Sequence, residues 1–290
     1  MRARPPSMRV NCCKRNCCKK IVARLSRLMS DEEYEIEAGG ELLMHSYETL
    51  PDNCKKYWKK RYQLFHKFDE GIYMTSELWY SVTPELMAIF TATLIAELMP
   101  DARNVLDICC GGGGNTIQFA NFFETVGAID INALNEQCTR HNAAVYGVEE
   151  KIWSHIGDWN EMCKLVNGKV CQDWIPENLR KSADTNHIFD FIFASPPWGG
   201  PAYTKTGEDF DVINMEPFGL DRFIKQLLQY TENIGLFLPK SSNLDQLRQV
   251  TSDNFGDGLC RIIYLYHDDY CSGMLALFGT ALTDPNFTCD

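Results

Sequence analysis

Residues 189–201 read Phe-Asp-Phe-Ile-Phe-Ala-Ser-Pro-Pro-Trp-Gly-Gly-Pro, an apolar run of strand length that stops at two prolines. These prolines make the turn after the predicted buried strand stiff and poor in hydrogen-bond donors. Because proline has no N–H, the carbonyls around Ser195 and Pro196 stay free to accept hydrogen bonds from an amine. The ring of Trp198 can stack on a flat base. The stretch therefore predicts a site for the exocyclic amino group of a planar base.

A glycine-rich turn lies about eighty residues upstream. A predicted strand, 104–108, precedes four consecutive glycines at 111–114, and a helix is predicted over 116–123. Glycines let a ligand approach the backbone closely at a helix N-terminus. Asp107 ends this strand and Asp130 ends the next one. Because an acid placed before the glycines would repel a pyrophosphate, the pattern favours a cationic ligand over a dinucleotide.

Predicted strands and helices alternate along the chain, which indicates an α/β fold. The predicted strands are 104–108, 126–130, 151–156, 188–194, 234–238, 260–266 and 273–279, and the predicted helices between them are 116–123, 133–145, 217–230 and 243–251. We expect a mainly parallel sheet with helices on both faces and an antiparallel hairpin at the C-terminal edge. Ligands bind at the carboxyl ends of such strands, where Asp107, Asp130, Asp158 and Ser195 are predicted to lie.

Charge divides the 290-residue chain into a basic tail and an acidic body. Residues 1–29 carry nine Lys and Arg and no acid, so the remainder holds 19 bases against 39 acids, a net charge of -20. This balance argues against indiscriminate coating of nucleic acid by the body. We divide the chain into a basic, disordered tail with an acidic linker (1–41), a helical extension (42–98) and a catalytic domain (99–290). The tail is suited to nuclear targeting or RNA contact.

One helix is predicted within residues 53–69, with Trp58, Tyr62 and Phe65 on a single face. Five basic residues surround this face: Lys55, Lys56, Lys59, Lys60 and Arg61. One interpretation is a helix docked by its aromatic residues with a solvated basic face. The other is that the basic face also holds phosphates of a nucleotide or an RNA. The two interpretations are compatible.

A second helix is predicted to begin at Thr83, with that residue as N-cap and Pro84 in the first helical position. Glu85 falls in the first turn, and the helix is expected to end near Leu98.

Cysteine and histidine spacing predicts neither a disulfide framework nor a metal site. Thirteen cysteines, an odd number spread through predicted strands and helices, fit reduced thiols of an intracellular protein. His141, His155 and His267 share no ligand spacing with cysteines or acids. The chain has no apolar run of signal-peptide or membrane-spanning length, so we expect no membrane partner.

The motifs resemble those of class I S-adenosylmethionine-dependent methyltransferases, in particular the Asp-x-x-x-Gly-Gly-Gly-Gly turn at 107–114. Three further segments, 79–85, 113–120 and 195–201, resemble the trimethylguanosine synthase family, the hypermethylases of small nuclear and nucleolar RNA caps. The likeness runs from about residue 55 to about residue 279 and is specific, because separate motifs agree in order. It implies a nuclear enzyme, including the nucleolus, that uses S-adenosylmethionine on 7-methylguanosine-capped small RNA, with ribonucleoprotein components delivering the RNA.

The resemblance also implies roles for individual residues. The cofactor-binding residues are Thr83, Asp107, Gly111, Gly113, Asn115, Thr116, Asp130 and Asp158. The catalytic residues are Ser195, Pro196 and Trp198, and the substrate-binding residues are Trp198, Tyr203 and Lys240. Lys60 and Arg61 are added to the substrate-binding residues because of the charge of the basic face. Asp107 would contact the methionine part of the cofactor, Asp130 its ribose and Asp158 its adenine, while Trp198 would stack on 7-methylguanine. Lys240 stands where relatives usually have Arg, so it would bind phosphate as a point charge.

Three functions remain open on the sequence. The first is methylation of the 2-amino group of a 7-methylguanosine cap, giving 2,2,7-trimethylguanosine. The second is methylation of an amino group on adenine or another base in RNA or DNA, independent of a 7-methyl group. The third is a cap-binding protein without catalysis, which the intact Asp107, Asp130 and glycines disfavour. The positive charge of 7-methylguanine favours an aromatic partner through a cation–π attraction of about 0.5–2 kcal/mol.

Overall fold

The structure is a computed structural model that describes residues 41–166, 168–180, 187–199, 209–256, 258–267 and 270–283. The predictions for the tail, 1–40, and for Tyr203 lie outside the described residues. Within the described part, no helix is both long enough and apolar enough to cross a bilayer.

Short helices come first along the chain, followed by alternating strands and helices. The α-helices are α1 (Arg61–Leu64), α2 (Leu78–Ser81), α3 (Glu85–Leu98), α4 (Gly114–Phe122), α5 (Ala133–Tyr146), α6 (Trp159–Met162), α7 (Leu220–Leu227) and α8 (Leu244–Phe255). The strands are β1 (Asn104–Ile108), β2 (Thr125–Asp130), β3 (Ile152–Ile156), β4 (Leu165–Val166), β5 (Lys169–Val170), β6 (Phe191–Ala194), β7 (Ile234–Leu238), β8 (Cys260–His267) and β9 (Tyr270–Phe278). Single 3-10 turns occupy Lys55–Lys60, Phe68–Glu70, Glu149–Lys151 and Glu177–Leu179.

Seven strands form one sheet in the order β3-β2-β1-β6-β7-β9-β8. The first five of these pair in parallel, whereas β9 is antiparallel to both β7 and β8. The predicted fold class is therefore confirmed, including the C-terminal antiparallel pair. The last described strand, β9, lies inside the sheet, and β8 forms the edge. The short β4–β5 hairpin was not predicted.

Both faces of the sheet are buried. One face packs Leu106, Ile192 and Leu236 against Phe223 of α7 and Leu247 of α8. The other packs β-strand aromatics and aliphatics against α3 and α4; its members include Val105, Phe191, Phe193, Phe237, Met87, Ile95 and Phe119. Parallel strands covered on both faces tend to be continuously apolar, which is why β6 and β7 read as unbroken hydrophobic runs.

The prediction of one helix within 53–69 is wrong. The structure has a 3-10 turn, the single α-turn α1 and a second 3-10 turn, with Phe65 in extended backbone between the last two. Phe65 is buried, Trp58 is half-buried and Tyr62 is exposed, so the three aromatics do not share one face. A chain of 3-10 turns repeats every three residues, so the i, i+4 pattern no longer brings side chains together.

The predicted N-cap role of Thr83 is also wrong. Helix α3 begins at Glu85, with Pro84 preceding it and no side-chain capping bond. The hydroxyl of Thr83 instead accepts a hydrogen bond from Asn115 Nδ2 at 3.0 Å. This side-chain contact across 32 residues replaces the local cap that the sequence pattern predicts.

Candidate active site

Asp107 lies at the carboxyl end of strand β1, inside the sheet, and is fully buried. Its Oδ2 accepts a 2.5 Å hydrogen bond from the Thr116 hydroxyl, while Oδ1 has no partner among the described residues. Burial raises the pKa of this carboxyl to about 7. A buried carboxylate oxygen without a partner is costly, so this atom is suited to a ligand that carries a positive charge.

The backbone after β1 turns sharply into the N-terminus of α4. Cys109 (φ 62), Gly111 (φ 56) and Gly113 (φ 83) all have left-handed backbone, and Gly113 immediately precedes the helix. A non-glycine residue in this region is strained, and such strain concentrates at functional sites. The turn points backbone N–H groups of the helix N-terminus toward the carboxyl edge of the sheet.

We expect Gly113→Ala to cost more stability than Gly147→Ala, which is its matched control. Both glycines have positive φ, so each substitution loses about 1 kcal/mol or more of unfolding free energy. An added Cβ at Gly147 has nothing within 4 Å, whereas at Gly113 it lies 3.3 Å from the Thr139 backbone. Urea unfolding of both variants measures the difference. Equal losses would show that the crowding at Gly113 is relieved without cost.

Asp130, at the end of β2, is held by three hydrogen bonds. Its Oδ2 accepts from the Gly111 N–H at 2.9 Å, and its Oδ1 accepts from the Asn132 N–H at 2.9 Å and from Asn135 Nδ2 at 3.4 Å. Thr75 in turn donates to Asn135 Oδ1 at 3.1 Å. Burial raises the pKa of Asp130 as well. The sequence interpretation missed Asn135 and Thr75, because the contact between these two residues joins segments 60 residues apart in the chain.

Asp158 follows the neighbouring strand β3. It is the N-cap of α6, with Oδ1 accepting from the Asn160 N–H at 2.9 Å. The preceding Gly157 donates its N–H to the Asp130 carbonyl at 3.0 Å, so the two strand ends are joined. The predicted acids Asp107, Asp130 and Asp158 therefore lie at or just beyond the carboxyl ends of three adjacent strands, β1, β2 and β3.

Ser195 follows β6 and is bonded to the end of β1. Its N–H donates to the Ile108 carbonyl and its hydroxyl donates to the Cys109 carbonyl, both at 3.2 Å. The two motifs that the sequence singles out, the glycine turn and the Ser-Pro-Pro-Trp turn, thus meet at neighbouring strand ends. Because the hydroxyl proton is used on Cys109, the lone pairs of Ser195 Oγ are available to accept hydrogen bonds.

Trp198 packs at the end of the next strand, β7. Its Nε1 donates to the Phe237 carbonyl at 3.2 Å, and its ring meets the Phe237 ring edge to face with centroids 5.1 Å apart. Lys240 lies two residues beyond the end of β7, and its Nζ is 4.5 Å from the centroid of the Tyr270 ring. Trp198 and Lys240 therefore both lie at the carboxyl end of β7.

The N-terminal extension covers the glycine turn. A Cβ on Gly111 or Gly112 would lie 3.1 Å from Leu78, and one on Gly114 would lie 3.2 Å from Val82. Asn115 is buried, bonds Thr83 through its Nδ2 and keeps an unpartnered Oδ1 among the described residues. The glycines are thus needed for packing of the extension as well as for any ligand.

Arg61 and Lys60 are not joined to the strand-end residues by any described contact. The Arg61 guanidinium stacks on Trp58 and Tyr62, 4.6 and 4.1 Å from their ring centroids. It donates to the Trp58 carbonyl and to the Tyr62 hydroxyl. Its charge is therefore engaged within the extension, whereas Lys60 is exposed.

Comparison with known proteins identifies the family. Residues 102–281 match the family model described as RNA cap guanine-N2 methyltransferase. The chain is 38% identical over 263 residues to the trimethylguanosine synthase of Saccharomyces cerevisiae, covering 88% of this chain and 74% of that protein. It is 32% identical over 199 residues to the trimethylguanosine synthase of Schizosaccharomyces pombe, covering 68% of this chain and 75% of that protein.

Solved structures show the same fold at low sequence identity. A putative methyltransferase from Porphyromonas gingivalis has a TM-score of 0.54 at 15% identity, covering 91% of this chain and 58% of its own. The human methyltransferase 10 domain containing protein has a TM-score of 0.50 at 10% identity, and the match covers 78% of this chain and 97% of that chain. Together with the family match over 102–281, the strand-end site places the chain in the RNA cap guanine-N2 methyltransferase family, whose S-adenosylmethionine-dependent members methylate N2 of the cap guanine.

Proposed function

We propose that this enzyme adds two methyl groups to the 2-amino group of 7-methylguanosine caps on small nuclear and nucleolar RNAs, giving 2,2,7-trimethylguanosine. The names of its two yeast relatives support the product. The observation that carries the proposal is the direct hydrogen bonding of Ser195 to the end of β1. It supports binding of the substrate at the Ser-Pro-Pro-Trp turn next to a cofactor at the glycine turn.

The three acids at the strand ends fit the functional groups of S-adenosylmethionine. The unpartnered Oδ1 of Asp107 would accept from the ammonium of the methionine part, and the ionised carboxylate would be stabilised by it. Asp130 has unused lone pairs for the ribose hydroxyls, and Asp158 would accept from the adenine amine. The bound cofactor supplies an electrophilic methyl group on sulfur. The residues of the chain position the two reacting groups, and such positioning is worth about 7–11 kcal/mol in well-oriented reactions.

The Ser-Pro-Pro-Trp turn after β6 fits a 7-methylguanine base. Trp198 would stack on the cationic ring, with a cation–π attraction of about 0.5–2 kcal/mol that unmethylated guanine lacks. Ser195 Oγ and the Pro196 carbonyl would accept hydrogen bonds from the 2-amino group and orient it. The proton leaves to a carbonyl or to water, so the site needs no strong base. Lys240, Tyr203, Lys60 and Arg61 are proposed to contact the rest of the cap.

The cellular part of the proposal rests on the family and on the tail. Residues 1–29 are strongly basic, which suits nuclear import or contact with a ribonucleoprotein. We propose a nuclear enzyme, present also in the nucleolus, whose RNA substrate is delivered by the proteins of its ribonucleoprotein particle. We also propose that residues 1–41, 42–98 and 99–290 act as tail, extension and catalytic domain.

A substrate comparison tests the proposed function. Purified enzyme is incubated with labelled S-adenosylmethionine and either a 7-methylguanosine-capped dinucleotide or its unmethylated guanosine counterpart, and the products are identified by mass. We expect label to enter only the 7-methylated cap, first as one and then as two added methyls. Equal labelling of both substrates would contradict the proposal and favour a less selective amino-methyltransferase.

A further inference from the structure

Three exposed tyrosines lie on the C-terminal strand pair, outside every role assigned above. Tyr264 and Tyr266 of β8 are 42% and 62% exposed, and Tyr270 at the start of β9 is 60% exposed. Isolated exposed apolar residues are ordinary, but a cluster of large aromatics on one edge is informative.

The sheet register places these tyrosines beside the proposed cap site. Leu238, the last residue of β7, pairs with Met274 of β9, which pairs with Tyr264 of β8. Tyr264 is therefore level with the end of β7, and Tyr266 lies two residues further toward the carboxyl edge. Two strand spacings, about 10 Å, separate β8 from β7. The tyrosines thus lie within one or two nucleotides' reach of the end of β7, against which Trp198 packs.

Lys240 lies between the end of β7 and the exposed tyrosines. It follows β7, and its ammonium lies 4.5 Å from the centroid of the Tyr270 ring, close enough for a cation–π contact. Across the sheet the order is therefore Trp198 and Lys240 at β7, Tyr270 on β9, and Tyr266 and Tyr264 on β8. This is the order in which a capped RNA presents a base, phosphates and then further nucleotides.

We propose that Tyr264 and Tyr266 form a stacking surface for the nucleotides that follow the cap, and that Tyr270 positions Lys240. This inference rests on the proposed function. Aromatic side chains stack on bases of any identity, which suits an enzyme that meets RNAs of different sequence. The chain outside the tail carries 39 acids against 19 bases, so a surface on it is suited to bases rather than to phosphates.

Kinetics with short and long substrates test this surface. The Tyr264→Ala, Tyr266→Ala double variant is compared with the wild type on a capped dinucleotide and on a capped single-stranded RNA of about twelve nucleotides. We expect KM for the longer RNA to rise at least about fivefold, the smallest loss from one stacked base, while dinucleotide kinetics change less than about twofold. The Tyr264→Phe, Tyr266→Phe variant keeps both rings and should behave as the wild type.

Phe122→Ala is the matched control. Phe122 is 45% exposed, but it ends α4 just before β2 begins, at the amino ends of the strands and away from the proposed site. It should leave both substrates unaffected. Anisotropy with the longer RNA labelled at its 3′ end measures the surface without catalysis, and the alanine pair should weaken binding at least about fivefold. Unchanged RNA binding, or equal KM effects on both substrates, would overturn the inference. Failure of the wild type to methylate either substrate would overturn the proposed function instead. The anisotropy result would still decide whether Tyr264 and Tyr266 bind the RNA.

Discussion

Trp198→Ala is expected to lower kcat/KM for a 7-methylguanosine-capped dinucleotide by about a hundredfold or more, with the Kd for S-adenosylmethionine changed less than about twofold. The substitution removes base stacking, worth about 1–3 kcal/mol, and the cation–π attraction to the 7-methylated ring. It also removes the ring that orients the base for transfer. Steady-state kinetics and isothermal titration of the cofactor measure the two quantities separately.

Trp198→Phe is the control for stacking. It keeps an aromatic face but loses the hydrogen bond from Nε1 to the Phe237 carbonyl, so an intermediate loss of kcat/KM is expected. Selectivity for the 7-methylated cap over its unmethylated counterpart should fall in the alanine variant, since the cation–π contribution is gone. A large loss of cofactor affinity in Trp198→Ala would contradict the assignment of Trp198 to the substrate site, because it would show that the ring contacts the cofactor.

Asp107→Asn is expected to abolish measurable cofactor binding and to raise the stability of the cofactor-free enzyme at pH 8. The folded-state pKa of Asp107 is raised by burial from 3.8 to about 7, so ionisation is less favourable in the folded than in the unfolded chain. Stability is therefore lost as the pH rises from about 4 through 7, by up to about 4 kcal/mol above that range. Asparagine carries no charge and avoids this loss.

Thermal unfolding at two pH values tests the stability effect. At pH 8 the Asp107→Asn variant should unfold several degrees above the wild type, since about 1 kcal/mol shifts the Tm of a domain this size by 2–4 °C. At pH 5 the two should differ little, because the wild-type carboxyl is then protonated. Wild-type cofactor affinity should fall as the pH drops below 7. Normal cofactor binding by the variant, or a lower Tm at pH 8, would contradict the assignment.

The strands and the glycine turn could be predicted because their signals are local. β6 and β7 are continuous apolar runs, and glycines or prolines end the segments next to the site. Residues 53–69 could not be predicted in the same way. Their helical pattern is overridden by tertiary packing. The side chain of Phe65 is buried in the core and its backbone is extended, so a short helical segment lies on each side of it instead of one continuous helix.

The acids and Ser195 of the candidate site could be predicted because they end strands, and strand ends meet at one edge of a parallel sheet. The residues that hold them could not. Asn135 and Thr75 contact each other across 60 residues of sequence, and the left-handed backbone of Cys109 leaves no mark in its residue type. Such contacts depend on the folded arrangement of several segments. Lys60 and Arg61 are chosen from charge alone, and their contribution stays a prediction.

The hydrogen bonds between Ser195 and the end of β1 have a consequence for how this architecture can change its substrate. The methyl donor would lie over β1 and the acceptor over β6, which are neighbours at the fixed spacing of about 4.8 Å that all sheets share. The sheet itself, rather than a loop, would then set the distance between donor and acceptor. Loops after β6 and β7 can consequently diverge to recognise other molecules, while the alignment for transfer is retained.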